Sequence, residues 1–312
     1  MDFHNLQLTS TKQFSSRKDI EQVLEVAQKM YEYSRGKKFT DILKNKVIAT
    51  LFYEASTRTR MSFETACMRL GAKVISAIGM ENSSLKKGET LEDTIRMVEQ
   101  YADLIIMRHP EQGSADVACT ATKKPFLNAG DGAGQHPTQA LLDMYTIQHE
   151  QGKIDGLTIA LVGDLKFGRT VHSLVALLKH FNINLIFVSP KELKMPNSIC
   201  EELANENIQY SETDDLEKTI QIADVLYMTR VQEERFENPA EYTKLRDAFI
   251  LTAELLKKAK ESITILHPLP RITEIEECVD AHKGAAYFRQ AGNGVPVRMA
   301  LIAMALGVDG DL

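Results

Sequence analysis

The sequence predicts an α/β protein of two domains, each a parallel β-sheet flanked by helices, joined by interdomain helices. Three observations lead there. Short, continuous apolar runs alternate with segments of helical period. That alternation occurs in two successive blocks. The length, 312 residues, gives room for about two domains. Strands buried on both faces read as unbroken β-branched and aromatic runs, and strand-then-helix repetition implies right-handed crossovers between parallel strands.

In chain order, a helix is expected over 17–33, followed by the apolar strand 47–53. A helix over 58–70 comes next, with Met61, Ala66 and Leu70 near helical spacing and Gly71 as its stop. The rhythm repeats as strand 74–78, helix 91–101 and strand 104–107. A helix over 138–149 starts where Pro137 suits a first turn and ends at Gly152. The second block reads as strand 157–162, helix 170–181, strand 185–188, helix 197–205, strands 225–228 and 263–266, and a helix near 297–306. The expected domains are 1–150, with a C-terminal helix over about 293–312 packing back onto it, and 151–292. In open α/β sheets ligands bind beyond the C-terminal strand ends, so strand-to-helix corners are the places to search.

Composition narrows the class. Charged residues make up 26% and hydrophobic residues 44%, the mix of a globular protein. The net charge of −6 disfavours bulk attraction to nucleic acid or an anionic membrane. No signal-peptide pattern opens the chain and no apolar run reaches membrane-spanning length. Cys67, Cys119, Cys200 and Cys278 form no CxxC pair, which fits reduced thiols better than a disulfide framework or zinc site. A cytoplasmic enzyme is the expectation.

The first corner, Glu54-Ala55-Ser56-Thr57-Arg58-Thr59-Arg60, brings hydroxyls and two guanidiniums to a helix start, where unpaired N–H groups and the dipole favour an anion. Helix capping by Ser or Thr is the plainer alternative. The second, Met107-Arg108-His109-Pro110, offers Arg108, or merely a surface arginine before a turn. In the third, 128–139, glycines lead to His136 at a helix start, with Gln139 about one turn on. A neutral imidazole can donate to a carbonyl oxygen and a carboxamide can hold an NH2 group. The fourth, Gly163-Asp164-Leu165-Lys166-Phe167-Gly168-Arg169-Thr170, resembles a P-loop except that Arg169 stands where the lysine belongs, so a nucleotide is disfavoured and a carboxylate fits better. The fifth holds Arg230 and Gln232. The sixth is His267-Pro268-Leu269-Pro270-Arg271, where prolines lack N–H donors and leave carbonyls as acceptors, or simply make a rigid turn after a strand. A polar loop at 82–90, containing Ser84, Lys86 and Lys87, reads as a solvated loop or a lid that brings cations to a phosphate.

Together these segments, in this order over most of the chain, resemble the aspartate/ornithine carbamoyltransferase family. Ser56-Thr57-Arg58-Thr59-Arg60 is similar to its carbamoyl-phosphate signature, accompanied by Met107-Arg108-His109-Pro110 and His136-Pro137-Thr138-Gln139. The lysine loop, Met228-Thr229-Arg230-Val231-Gln232, and Pro268 in place of the cysteine of ornithine enzymes point to the aspartate-using branch. The loop lacks a glycine often found before its lysine pair, and Phe167 replaces a common tyrosine.

The resemblance implies transfer of the carbamoyl group of carbamoyl phosphate to L-aspartate, in pyrimidine biosynthesis, with no cofactor and no metal. Ser56, Thr57, Arg58, Thr59 and Arg108 are then expected to bind phosphate. Thr59, Arg108 and His136 would donate to the carbamoyl oxygen, while Gln139 and the Leu269 carbonyl hold its NH2. Arg169, Arg230 and Gln232 would take the aspartate carboxylates, with Ser84 and Lys87 arriving from an adjacent chain of a homotrimer. A regulatory chain is a further partner that the family allows. The rivals are another amine as acceptor, such as ornithine or an N-acylated ornithine, a nucleotide switch at 163–170, and a non-catalytic regulatory chain.

Overall fold

The computed structural model describes residues 1–79, 88–233, 236 and 238–311. The chain forms two compact units, Met1–Leu142 with Gly292–Leu312, and Asp143–Ala291.

In the first unit the order is β1 (Gln7–Leu8), α1 (Arg17–Ser34), β2 (Val47–Phe52), α2 (Thr57–Arg69), β3 (Lys73–Ile78), α3 (Leu91–Val98), β4 (Leu104–His109), α4 (Ser114–Ala121) and β5 (Phe126–Asp131). Helix α5 (Pro137–Gln151) begins in this unit and ends in the other. The second unit continues with β6 (Thr158–Val162), α6 (Arg169–Leu178), β7 (Asn184–Val188), α7 (Asn197–Asn205), β8 (Tyr210–Thr213), α8 (Leu216–Ile222), β9 (Val225–Met228), α9 (Pro239–Leu245), α10 (Ala253–Leu256) and β10 (Thr264–Leu266). Helix α11 (Tyr287–Ala305) returns the chain to the first unit.

Each unit is built on a five-stranded sheet, ordered β1-β5-β4-β2-β3 in the first and β10-β9-β6-β7-β8 in the second. Every pairing is parallel. The central strands are the unbroken apolar runs of the sequence: five of the six β2 residues are buried, as are all of β9. Ala49, Leu51, Ile105, Met107 and Phe126 join Ile95 and Ala118 of the covering helices in one core. Val162, Val188, Leu226, Met228 and Ile265 pack with Ile220 and Tyr287 in the other.

The strand orders fix where the corners fall. In the first sheet, β3 lies on one side of β2 and β4 on the other, so the topological switch point is between β2 and β4. There Phe52 pairs with Arg108, and the following corner starts beside it. In the second sheet the switch lies between β6 and β9, where Val162 pairs with Met228. At such points the loops leaving neighbouring strands diverge to opposite faces and open a crevice. Within each unit, the chemistry-bearing corners therefore leave the C-terminal ends of adjacent strands.

The elements differ from expectation in a few places. The glycine-rich third corner, 128–139, begins inside a strand, β5, with all six of its residues buried. Its polar member is satisfied: Asn128 donates to the Thr9 carbonyl at 2.8 Å, and its own Oδ1 accepts the Gly130 N–H at 2.7 Å. Helix α11 starts ten residues before the expected 297, carrying Gly292, Gly294 and Pro296 inside it. β1, α4, β8 and α8 carried no separate sequence expectation.

Candidate functional site

The first unit carries one set of candidate residues. Ser56 is the N-cap of α2, yet its side chain makes no capping hydrogen bond. Ser16, Thr90 and Thr252, by contrast, each accept a backbone N–H at their helix starts. Plain capping therefore does not account for Ser56. Thr57 and Arg58 are exposed on the first turn and Thr59 is buried, so the helix start presents side chains at graded depth around its N–H groups.

Arg108 ends β4 and is only 8% exposed. Its Nε and Nη2 both lie 3.0 Å from Glu54 Oε2, and Nη1 donates to the Ala129 carbonyl at 3.3 Å. Burial pulls this guanidinium below its ordinary value, and Glu54 pushes the other way. Glu54 carries no expected role; its position before the Ser-Thr-Arg run is its one signal in the sequence, and its geometry makes it the carboxylate neutralising a buried cation.

His136 is buried, and its carbonyl accepts the Gln139 and Ala140 N–H groups, at 3.0 and 3.2 Å, that open α5. Gln139 is half-buried on the first turn. The turn leading to His136 is shaped by Asp131, another residue without an expected role. Its Oδ1 accepts the Gln135 N–H at 2.6 Å and the Asn128 amide at 3.2 Å; its Oδ2 accepts the Gly113 N–H at 3.0 Å. Gly132 (φ 51) sits where a Cβ would collide with the Pro110 carbonyl. Glycine is required there because the turn before His136 presses against the corner after Arg108.

The second unit carries the other set. Arg169 is the first residue of α6, and the N-cap Gly168 supplies no side-chain cap. Asp164, fully buried, links the loops after β6 and β9: it accepts the Phe167 N–H at 2.9 Å and the Gln232 N–H at 3.3 Å, and donates its own N–H to Thr229 Oγ1 at 3.0 Å. Burial pushes its carboxyl up. Gly163 (φ 115) stands where a Cβ would strike the Thr229 carbonyl, which lets the two loops touch. Arg230 and Gln232, both half-buried, follow directly. Phe167 meets the Phe236 ring edge-on at 5.9 Å. Leu269 follows β10 with φ 56, a left-handed conformation that costs a leucine about 1–2 kcal/mol.

Thus Ser56, Thr57, Arg58, Thr59, Arg108, His136 and Gln139 belong to the first unit, and Arg169, Arg230, Gln232 and Leu269 to the second. Ser84 and Lys87 lie outside the described residues. Among the described residues no group of His, Cys, Asp and Glu is placed to hold a metal ion, and no helix is long and apolar enough to cross a membrane. Each set can bind small anions: guanidiniums, hydroxyls and helix N-termini at a strand-end crevice.

Comparison with known proteins divides the chain in the same sense. Residues 7–149 match the family model described as aspartate/ornithine carbamoyltransferase, carbamoyl-P binding domain, and residues 155–305 match that of the Asp/Orn binding domain. The chain is 50% identical over 308 residues to a protein of Thermococcus gammatolerans named aspartate carbamoyltransferase catalytic subunit, covering 99% of this chain and 100% of that one. A protein of the same name from Methanosarcina barkeri is 51% identical over 308 residues, 99% of each chain. Among solved structures, aspartate transcarbamoylase from Trypanosoma cruzi in complex with carbamoyl phosphate and aspartate superposes with TM-score 0.91 at 41% identity, covering 97% of this chain and 98% of that one. The catalytic subunit of M. jannaschii aspartate transcarbamoylase gives 0.90 at 47% identity, covering 100% and 99%.

Proposed function

This chain belongs to the aspartate/ornithine carbamoyltransferase family, and from that premise we propose that it transfers the carbamoyl group of carbamoyl phosphate to the α-amine of L-aspartate. The products are N-carbamoyl-L-aspartate and phosphate, in de novo pyrimidine biosynthesis. The choice of aspartate rests above all on one observation: Arg169 and Arg230 leave the C-terminal ends of the adjacent strands β6 and β9. Paired guanidiniums suit a dicarboxylate, whereas the distal ammonium of ornithine calls for an acidic partner.

In this reading the first unit, Met1–Leu142 with Gly292–Leu312, is the carbamoyl-phosphate domain expected over 1–150 with the helix 293–312, and the second unit, Asp143–Ala291, is the aspartate domain expected over 151–292. Ser56, Thr57, Arg58, Thr59 and Arg108 hold the phosphate. The amine lone pair attacks the carbamoyl carbon, and the carbonyl oxygen gains charge that Thr59, Arg108 and His136 stabilise by donation. Gln139 and the Leu269 carbonyl hold the carbamoyl NH2, and Arg169, Arg230 and Gln232 hold the aspartate carboxylates. The C–O bond to phosphate then breaks, and the leaving phosphate takes the amine proton. Chemistry comes from positioning and preorganised charge.

The assembly belongs to the same proposal: a homotrimer whose sites are completed by Ser84 and Lys87 of an adjacent chain, with a regulatory chain as a further partner. Exposed apolar side chains on the first unit support association. Met61 and Met68 of α2 are 56% and 62% exposed, Ile78 of the edge strand β3 54%, and Tyr101 after α3 61%. Large apolar side chains left exposed in this way suit coverage by a partner chain. A cytoplasmic location is consistent with the four cysteines, all free, of which Cys67 and Cys119 are pushed up to about 12 by burial and are inert.

The test is a carbamoyl-phosphate-dependent assay with aspartate, ornithine and N-acetylornithine as competing acceptors. Product with aspartate alone is expected. Product with either ornithine and none with aspartate would overturn the assignment.

A further inference from the structure

His267, the residue after β10, has partners on both ring nitrogens. Nδ1 lies 2.8 Å from the Leu269 backbone nitrogen, and Nε2 lies 2.6 Å from Glu274 Oε1. A backbone N–H can only donate, so Nδ1 must be the bare nitrogen and the ring proton must sit on Nε2, where it is donated to the carboxylate. Both residues are shut away from water, at 1% and 3% exposure. Glu274 is itself held: its Oε2 accepts the Ile272 and Thr273 N–H groups, each at 3.1 Å. The His267 N–H is anchored on Gln290 Oε1 at 2.8 Å. The chain of bonds ends at Leu269, whose φ of 56 needs surrounding contacts to persist.

We propose that His267 is a positioning residue whose tautomer, selected by Glu274, holds Leu269 in its left-handed conformation and so aims the Leu269 carbonyl at the carbamoyl NH2. This rests on the functional reading above, in which that carbonyl contacts substrate. The other neutral tautomer, or an imidazolium, would place an N–H on Nδ1 against the Leu269 N–H. Two donors facing each other in a dry site cannot coexist. A carboxylate at 274 removes that alternative because it only accepts. A carboxamide there would turn its NH2 either on Nε2, forcing the wrong tautomer, or on the Ile272 and Thr273 N–H groups.

Two measurements on the full chain test this. In the first, the protein is labelled with 15N-histidine, and solid-state NMR assigns the His267 resonances by their loss in His267→Asn. A neutral ring protonated at Nε2 is expected, and a ring protonated at Nδ1, or doubly protonated, overturns the proposal. The second compares steady-state kinetics of variants that remain folded by circular dichroism. His267→Asn places an acceptor oxygen near the position of Nδ1, whereas the longer amide of His267→Gln reaches toward Nε2 and leaves the Leu269 N–H unmatched. His267→Gln and Glu274→Gln are expected to lose roughly tenfold or more in kcat, since small misplacements of a reacting group are costly. His267→Asn should keep most of it, with the KM for aspartate little changed throughout. Equal losses in the Asn and Gln variants, with an active wild type, overturn the positioning role alone. A wild type inactive with carbamoyl phosphate and every acceptor overturns the functional reading and takes this role with it.

Discussion

Arg108 shows how much a single side chain is asked to do. Its guanidinium is buried, pairs with Glu54 through two nitrogens and reaches the Ala129 carbonyl with the third. A lysine keeps the charge but presents one compact ammonium that cannot serve three directions. Arg108→Lys is therefore expected to stay folded yet lose on the order of 10²-fold in kcat/KM, the scale of removing one oxyanion donor. Arg58→Ala should cost at least as much. Near-normal rates for either variant in a carbamoyl-phosphate assay would remove that residue from the phosphate site. At this scale the sequence was informative where charge or a motif announced a residue: Ser56, Arg108, His136, Arg169 and Arg230 all fall at strand-end corners. It was silent on the residues that hold those groups. Nothing in the spacing shows that Asp131 grips the Gln135 and Gly113 N–H groups, or that Asp164 ties Phe167 to Gln232. Those roles exist only once the chain is folded.

At the scale of elements, continuous apolar strands were legible because a parallel sheet buries both their faces. Helix α7 and strand β9 match their expected bounds. β1 was not legible, because two residues carry no period. β5 was not legible because Asn128 and Gly130 interrupt its apolar run, and the bonds that satisfy them exist only in the fold. The first half of α11 was hidden by Gly292, Gly294 and Pro296 for a packing reason. A Cβ at Gly294 would collide with Arg298 Nη1 and lie 3.1 Å from Ser62 Oγ and 3.2 Å from Leu142 Cδ2. Arg298 cannot easily retreat: its Nη1 donates to Ser62 Oγ at 2.6 Å, and its guanidinium lies 4.8 Å from the centre of the Phe63 ring. Helix propensity favours alanine over glycine by up to about 1 kcal/mol, while overpacking costs about 1–3 kcal/mol. Gly294→Ala is thus expected to lower the melting temperature by several degrees. A rise would show that propensity wins and that the close approach is not what selects glycine.

For the molecule as a whole, His109, His172 and His267 are each drawn below the ordinary histidine value of 6.5, in every case chiefly by burial. In the unfolded chain these rings take up protons near 6.5, so between that value and their lower folded values the unfolded state binds more protons. Through these three rings stability falls as pH drops below about 6.5, before the ordinary carboxylates titrate. Thermal melts from pH 8 to pH 5 should show this decline, and a flat or rising melting temperature over that window would contradict it. The assembly makes the last demand. If the chain forms the proposed homotrimer and each site needs Lys87 from a neighbouring chain, a trimer of Arg58→Ala chains fails at its own phosphate site, and one of Lys87→Ala chains fails at the site it should complete. In a mixed trimer, a site can be built from the Arg58 of one chain and the Lys87 of the other and carry neither lesion. Mixing the two inactive proteins under conditions that exchange subunits should therefore restore activity, while exchanging either with itself restores none. Confirmed mixed trimers that stay inactive would mean that each chain builds its site alone.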